Sequence, residues 1–180
     1  MTENRNKYIL IGIPHCGKSS LGRRAADVLQ LPFYDTDLMA YERLGVRNPL
    51  DQFRAAFNGS FMTAQREVVY ELAELDTDAI IATGAEVALM PGCDTRLRRM
   101  GTVIHVRRNL DAVLADITND DNQLIMRNVK TGTEEIMREK SVKLYVQELS
   151  QYEELADLTL ENDGSEDDGL EKLIALIKQK

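Results

Sequence analysis

A glycine-rich octapeptide, Gly12-Ile13-Pro14-His15-Cys16-Gly17-Lys18-Ser19, stands between an apolar run and an amphipathic segment. The run before it, Tyr8-Ile9-Leu10-Ile11, reads as a buried strand. The segment after it carries Leu21, Ala25, Val28 and Leu29 on one helical face. A G-x-x-x-x-G-K-S turn between a strand and a helix is the P-loop pattern in the context that gives it meaning. Gly12 and Gly17 adopt backbone angles that a side chain forbids, so the loop curls its N–H groups around a phosphate. The helix start behind the loop adds partial positive charge. Gly12, Ile13, Pro14, His15, Cys16, Gly17, Lys18, Ser19 and Ser20 are therefore the candidate nucleotide-binding residues. Lys18 reaches the β- and γ-phosphates, and Ser19 is placed to bind Mg2+. The competing reading, a glycine-rich turn that happens to hold Lys and Ser, leaves the flanking strand and helix unexplained. Nucleotide binding does not by itself establish catalysis.

A chain of 180 residues is expected to form one domain, over 1–180, with a substantial core. No apolar stretch approaches the length of a membrane span. Thr2-Glu3-Asn4-Arg5-Asn6-Lys7 is polar and leads straight into a strand, so no signal peptide is expected and the expected location is cytoplasmic. The formal net charge of −8 argues against a general nucleic-acid binder, which needs a basic face. A local phosphate site survives this, because the loop supplies its own field. The cysteines are Cys16 and Cys93; one lies in the phosphate loop, and neither a structural disulfide nor a zinc pattern is expected. Cys16, at a helix start, is either a thiol of lowered pKa or a small residue filling the loop.

The rest of the chain alternates strands with helices. Strands are expected near Lys7–Ile13, Pro32–Asp35, Asp78–Thr83, Thr102–Val106 and Asp157–Glu161. Helices are expected over Lys18–Leu29, after Thr36 or Asp37 as cap, after Asn48-Pro49, from Ser60 to about Leu75, over Thr95–Met100, from Leu110 to Ile117, from Thr133 to about Leu149, and after Ser165. Residues 119–132 are polar and rich in Asn and Asp, and read as a mobile loop. This pattern gives an α/β domain with a parallel sheet, whose ligands bind beyond the carboxyl ends of the strands. The P-loop, Asp35-Thr36-Asp37 and Gly84 all fall at such ends. Asp37 is a site carboxylate or only a helix cap, and Asp35 a metal-side group or only a strand end. His105, inside a strand, reads as a satisfied core histidine rather than a catalytic one. Phe57, Phe61 and Met62 read as core.

The P-loop, Asp35-Thr36-Asp37, the Ile80–Gly84 strand end and the tail Tyr152-Glu153-Glu154-Leu155-Ala156-Asp157 together resemble the shikimate kinase family, over nearly the whole chain. Gly45, Gly59 and Glu67 match as well. The resemblance implies a P-loop NTPase fold, with a five-stranded parallel sheet in the order 2-3-1-4-5, helices on both faces and a lid at about 119–132. It implies ATP and Mg2+ as cofactors and a small-molecule hydroxyl compound as substrate. Lys18 would steady the transferring phosphate, and Ser19 with Asp35 would serve the metal. Asp37 would bind the acceptor hydroxyl and accept its proton. Asp37, Glu67, Gly84, Glu86 and Glu148 would line the acceptor pocket.

The acceptor half departs from the family in one electrostatic sense. Ala64, Gln123 and Glu148 stand where the family carries arginines, Asp116 stands where it carries an arginine near adenine, and Gly84-Ala85-Glu86 replaces three glycines. Arginine grips a carboxylate through two parallel hydrogen bonds, which no neutral residue copies. At 4 Å and an effective dielectric near 20, a unit-charge contact is worth about 4 kcal/mol, enough to reverse a preference. Shikimate, a carboxylate, is therefore a doubtful acceptor. The chain is expected to phosphorylate a neutral or cationic hydroxyl compound, with Arg127 or Lys130 supplying positive charge from the lid. The alternative is a non-catalytic protein of this fold that senses nucleotide or binds a partner.

Overall fold

The computed structural model describes residues 7–119 and 147–179. Residues 120–132 of the expected lid, with Arg127 and Lys130, and most of the helix expected after Thr133 lie outside the described residues. Five strands form one parallel sheet: β1 (Lys7–Ile11), β2 (Phe33–Asp35), β3 (Ala79–Ala82), β4 (Gly101–Arg107) and β5 (Leu158–Glu161). Their order is β2-β3-β1-β4-β5, as the family resemblance implies. β1 and β3 are buried along their whole length, which explains their unbroken apolar character. Register places Ile104, Leu10, Ala82 and Asp35 in one row across the sheet. The groups just beyond that row, from four strands, open on the same edge.

The helices are α1 (Lys18–Leu29), α2 (Thr36–Arg43), α3 (Pro49–Phe57), α4 (Ser60–Glu74), α5 (Cys93–Met100), α6 (Leu110–Asn119), α7 (147–155 of the described residues) and α8 (Glu166–Lys178). A 3-10 segment, Ala85–Leu89, follows β3. Among the described residues no helix is long and apolar enough to cross a membrane. The core runs through Ile9, Leu10, Ile11, Leu21, Leu72, Ile80, Ile81, Ile104 and Leu173, all at or below 1% exposure. Buried apolar side chains of this size each contribute about 1.5–3 kcal/mol.

Several boundaries differ from expectation for local reasons. Neither Thr36 nor Asp37 caps α2; Asp35 does, accepting from the N–H groups of Asp37 (3.0 Å) and Leu38 (3.2 Å). Gly59, at φ 75°, is the cap of α4, and Ser60 is its first residue. α5 starts at Cys93 rather than Thr95, and α7 runs on to residue 155. Val28 is 58% exposed, so α1 buries Gly22 and Ala26 beside Leu21 and Ala25 instead. Met62 is exposed too, while Phe61 stacks on Tyr41 at 4.4 Å.

The tail segment has a clear structural task. Asp157 accepts from Val103 N–H and donates its own N–H to Val103 O, both at 2.8 Å. This pair fastens the end of α7 to β4 just before β5 enters the sheet. Asn162 continues the seam, donating its N–H to Arg107 O at 2.8 Å. At the other end of the chain, α8 begins at a capping box formed by Ser165 and Asp168.

Candidate active site

The loop from Gly12 to Ser19 turns sharply off the end of β1. Gly12 (φ 141°) and Gly17 (φ 100°) sit in backbone regions that disfavour side chains, and a Cβ on Gly17 would lie 2.6 Å from Asn162 Nδ2. His15 also has a left-handed φ, 58°. Its carbonyl accepts from Arg108 at 2.8 Å, and Asn162 Nδ2 donates to Cys16 O at 2.9 Å. The loop is thus held from outside by two side chains of neighbouring strand ends. Arg108 also pairs with Asp116 on α6. Beside these groups lies a cavity of about 320 Å3 lined in part by His15, Gly17, Ser20, Arg108, Asp116 and Asn162.

Lys18 is buried, and its ammonium donates to Gly12 O (2.8 Å) and Ile13 O (2.7 Å), with Cys16 Sγ at 3.6 Å. Cys16 is fully buried among apolar neighbours, which fits the loop-filling reading. Ser19 Oγ donates to Asp35 Oδ2 at 2.6 Å. The other oxygen of Asp35 caps α2, so a single carboxylate fixes both the start of that helix and the Ser19 rotamer. These are oxygen ligands of the kind a hard divalent cation takes. The backbone cradle and this oxygen pair fit a nucleotide phosphate and its metal.

Asp37 stands one step further out. Gln65, almost completely buried on α4, donates to its Oδ1. Burial raises the Asp37 pKa, Asp35 adds to this, and Gln65 and Lys18 oppose it. Gly84 packs directly beneath: a Cβ there would meet Gln65 Nε2 at 2.1 Å and Asp37 Oδ1 at 2.2 Å. Its N–H donates to Thr36 Oγ1 at 2.8 Å. Only a glycine lets the β3 end approach so closely. Glu86 is exposed, and its charge raises the pKa of both Asp37 and Glu148.

Glu148 is buried on α7. Its pKa is raised by burial first; the Tyr152 hydroxyl opposes this, and Glu86 adds to the rise. Tyr152, one turn on and fully buried, donates to Ala85 O at 2.8 Å and lies 3.2 Å from a Glu148 carboxyl oxygen. The Tyr152 ring stands 5.3 Å from that of His105. His105 is a core residue, as expected, but not a satisfied one: its Nδ1 is buried without a hydrogen-bond partner among the described residues. Burial, with Arg107 and Lys18 adding to it, lowers its pKa to about 4.

The structure therefore brings Lys18, Ser19, Asp35, Asp37, Gly84, Glu86 and Glu148 to one edge of the sheet. Glu67 stands apart on the outer side of α4, where it and Glu71 pair with Arg43 at 3.2 and 2.5 Å. Ala64 is buried. Sequence reasoning missed Gln65, Arg108, Asn162 and the packing of Tyr152. For Gln65 a signal existed: positions 65, 68, 69 and 72 share the buried face of α4, so a polar residue at 65 required a partner.

The family model for shikimate kinase matches residues 14–178. A shikimate kinase from Thioalkalivibrio sulfidiphilus is 30% identical over 165 residues, spanning 91% of this chain and 81% of that protein. One from Paracidovorax citrulli is 35% identical over 121 residues, 66% of this chain and 64% of that protein. Among solved structures, the shikimate kinase from Acinetobacter baumannii in complex with shikimate superposes with a TM-score of 0.81 at 23% identity, covering 98% of this chain and 95% of that one. The Aquifex aeolicus shikimate kinase gives 0.74 at 20%, covering 96% of each. These superpositions speak to the fold, and the sequence matches to the lineage: the chain belongs to the shikimate kinase family.

Proposed function

We propose that this protein is an ATP- and Mg2+-dependent kinase that transfers the γ-phosphate to a hydroxyl of a small molecule, with shikimate disfavoured as acceptor. The observation that carries the reading is Asp37: a carboxylate held by Gln65, pushed up in pKa by burial, and next to the Ser19–Asp35 pair. Phosphoryl transfer needs positioning and charge stabilisation more than covalent chemistry. Asp37 orients the acceptor hydroxyl and takes its proton as the new phosphate ester forms. A raised pKa makes it a stronger base than an ordinary carboxylate. Lys18 leaves its two loop carbonyls to meet the β- and γ-phosphates, while Ser19 and Asp35 hold the metal side. The bound Mg2+ would offset phosphate charge.

The case against shikimate rests on the charge of the residues at the expected arginine positions. Ala64 and Glu148 stand where the family carries arginines, and Glu86 adds a negative charge. A carboxylated acceptor would meet like charge there.

A non-catalytic nucleotide binder is the second reading, favoured by the same buried Glu148. Release of ADP from Mg-ATP, measured over shikimate, neutral polyols and aminated polyols, separates the two. Asp37→Asn and Lys18→Ala should each lower turnover at least about 100-fold. In a mere binder, Lys18→Ala alone matters, through lost ATP affinity. Shikimate turnover at ordinary kinase rates refutes the specificity argument.

A further inference from the structure

Tyr152 Oη lies between two acceptors, Ala85 O at 2.8 Å and a Glu148 carboxyl oxygen at 3.2 Å. A phenol has one proton to give. Burial pushes the Tyr152 pKa up, so the phenol keeps that proton. The shorter contact directs it to the backbone carbonyl. Glu148 then faces a lone pair on Tyr152 Oη. An ionised carboxylate in that position would set lone pair against lone pair in a site that is 8% exposed. A carboxylic acid instead donates to the phenol oxygen, and the chain Glu148 to Tyr152 to Ala85 is satisfied throughout.

Burial and charge among the described residues act in the same direction. Glu86, from the 3-10 segment, is the charged group among them whose field reaches Glu148, and its sign opposes a second carboxylate. Asp37 feels Glu86 in the same way. The Lys18 ammonium is engaged by two loop carbonyls.

We infer that Glu148 is the specificity-determining residue of the acceptor site: it carries a proton in the free protein, donates it to Tyr152, and so selects a neutral polyhydroxyl acceptor over a carboxylate. This rests on the reading of the Asp37 side as an acceptor pocket. A neutral acid offers a hydroxyl ligand a carbonyl oxygen to donate to, while giving an anion no countercharge. The position that holds arginine in the family has become a polar group without charge.

The test is a carbon-13 titration of protein labelled at the glutamate side-chain carboxyl, with E148Q identifying the signal. The expected result is a Glu148 midpoint above the ordinary glutamate range. Y152F should move that midpoint down, because it removes the oxygen that takes the proton. An upward move would mean the phenol was donating to a carboxylate, and would overturn the inference. So would a Glu148 midpoint at or below the ordinary range. Y152F keeps the question open to decision if E148Q does not fold.

Binding of neutral cyclitols, aminocyclitols and shikimate in the presence of a non-hydrolysable ATP analogue tests the selection. Cyclitol affinity should fall at least 10-fold as the pH passes the Glu148 midpoint, and E148Q should abolish that pH dependence. Tighter binding of shikimate, or of an aminocyclitol with proton release, overturns it. A failure to turn over any bound acceptor would count against the kinase reading alone.

Discussion

His105 offers the sharpest quantitative test of the folded state. Its ring is buried on β4 beneath the phosphate loop, close to Gly12 and to Tyr152, and its Nδ1 has no partner among the described residues. Its pKa falls from 6.5 to about 4, by burial first and by the Arg107 and Lys18 charges next. The folded value lies below the unfolded one, so the unfolded chain takes up this proton first. The neutral ring's contribution is therefore complete above about pH 6.5 and is lost as the pH falls towards 4. The separation is worth about 3 kcal/mol once the pH is below both values, and about 2 kcal/mol between pH 7 and pH 5. Asp37 and Glu148 act in the opposite sense: their raised values give stability that is present at low pH and lost as the pH rises through their folded values. Comparing wild type with H105F cancels those carboxyl contributions, since both proteins keep them. Phenylalanine also replaces an unpartnered polar atom by carbon, so at pH 7 the two should differ by no more than about 1 kcal/mol. Urea unfolding at pH 7 and pH 5, with equal slopes as the check on two-state behaviour, is the assay. The variant should gain on wild type by about 2 kcal/mol on going to pH 5. Parallel losses in the two proteins would refute the burial argument.

Two further outcomes follow from single contacts. Arg108→Ala removes the donor that holds the His15 carbonyl and the partner of Asp116, so ATP affinity measured by calorimetry should drop about 10-fold, while stability changes by less than about 1 kcal/mol because the ion pair is partly exposed; unchanged affinity would show that the clamp does not shape the loop. Asp157→Ala removes the acceptor for Val103 N–H and should destabilise by about 1 kcal/mol in chemical denaturation, with Asp157→Asn recovering most of the loss because an amide oxygen still accepts.

The parts of this fold that could be read from sequence are those fixed by local chemistry. The apolar runs of β1 and β3 announce buried parallel strands, and the G-x-x-x-x-G-K-S spacing announces the phosphate loop. The cap of α2 was not readable in the same way. Asp35, Thr36 and Asp37 are all competent caps, and the choice among them is made by sheet register, which places Asp35 opposite Ala82 as the last paired residue of β2. That choice also leaves the Asp37 side chain free for Gln65. Arg108 is a similar case. Its long side chain leaves the end of β4 in a direction that only the packed loop determines, and it arrives where it holds both His15 and Asp116.

Those same residues bear on how the family's site has changed. An arginine-to-carboxyl replacement is tolerable in a buried wall only if the new group sheds its charge or finds a cation. Asp116, which is half exposed, is paired with Arg108. On the proposed protonation, Glu148 sheds its charge. A site that had merely lost its function would have no need to hold Gln65 on Asp37, or Gly84 within van der Waals reach of both. On the proposed reading of Asp37 as the acceptor group, this retained order beside altered charge supports a changed substrate over a lost reaction.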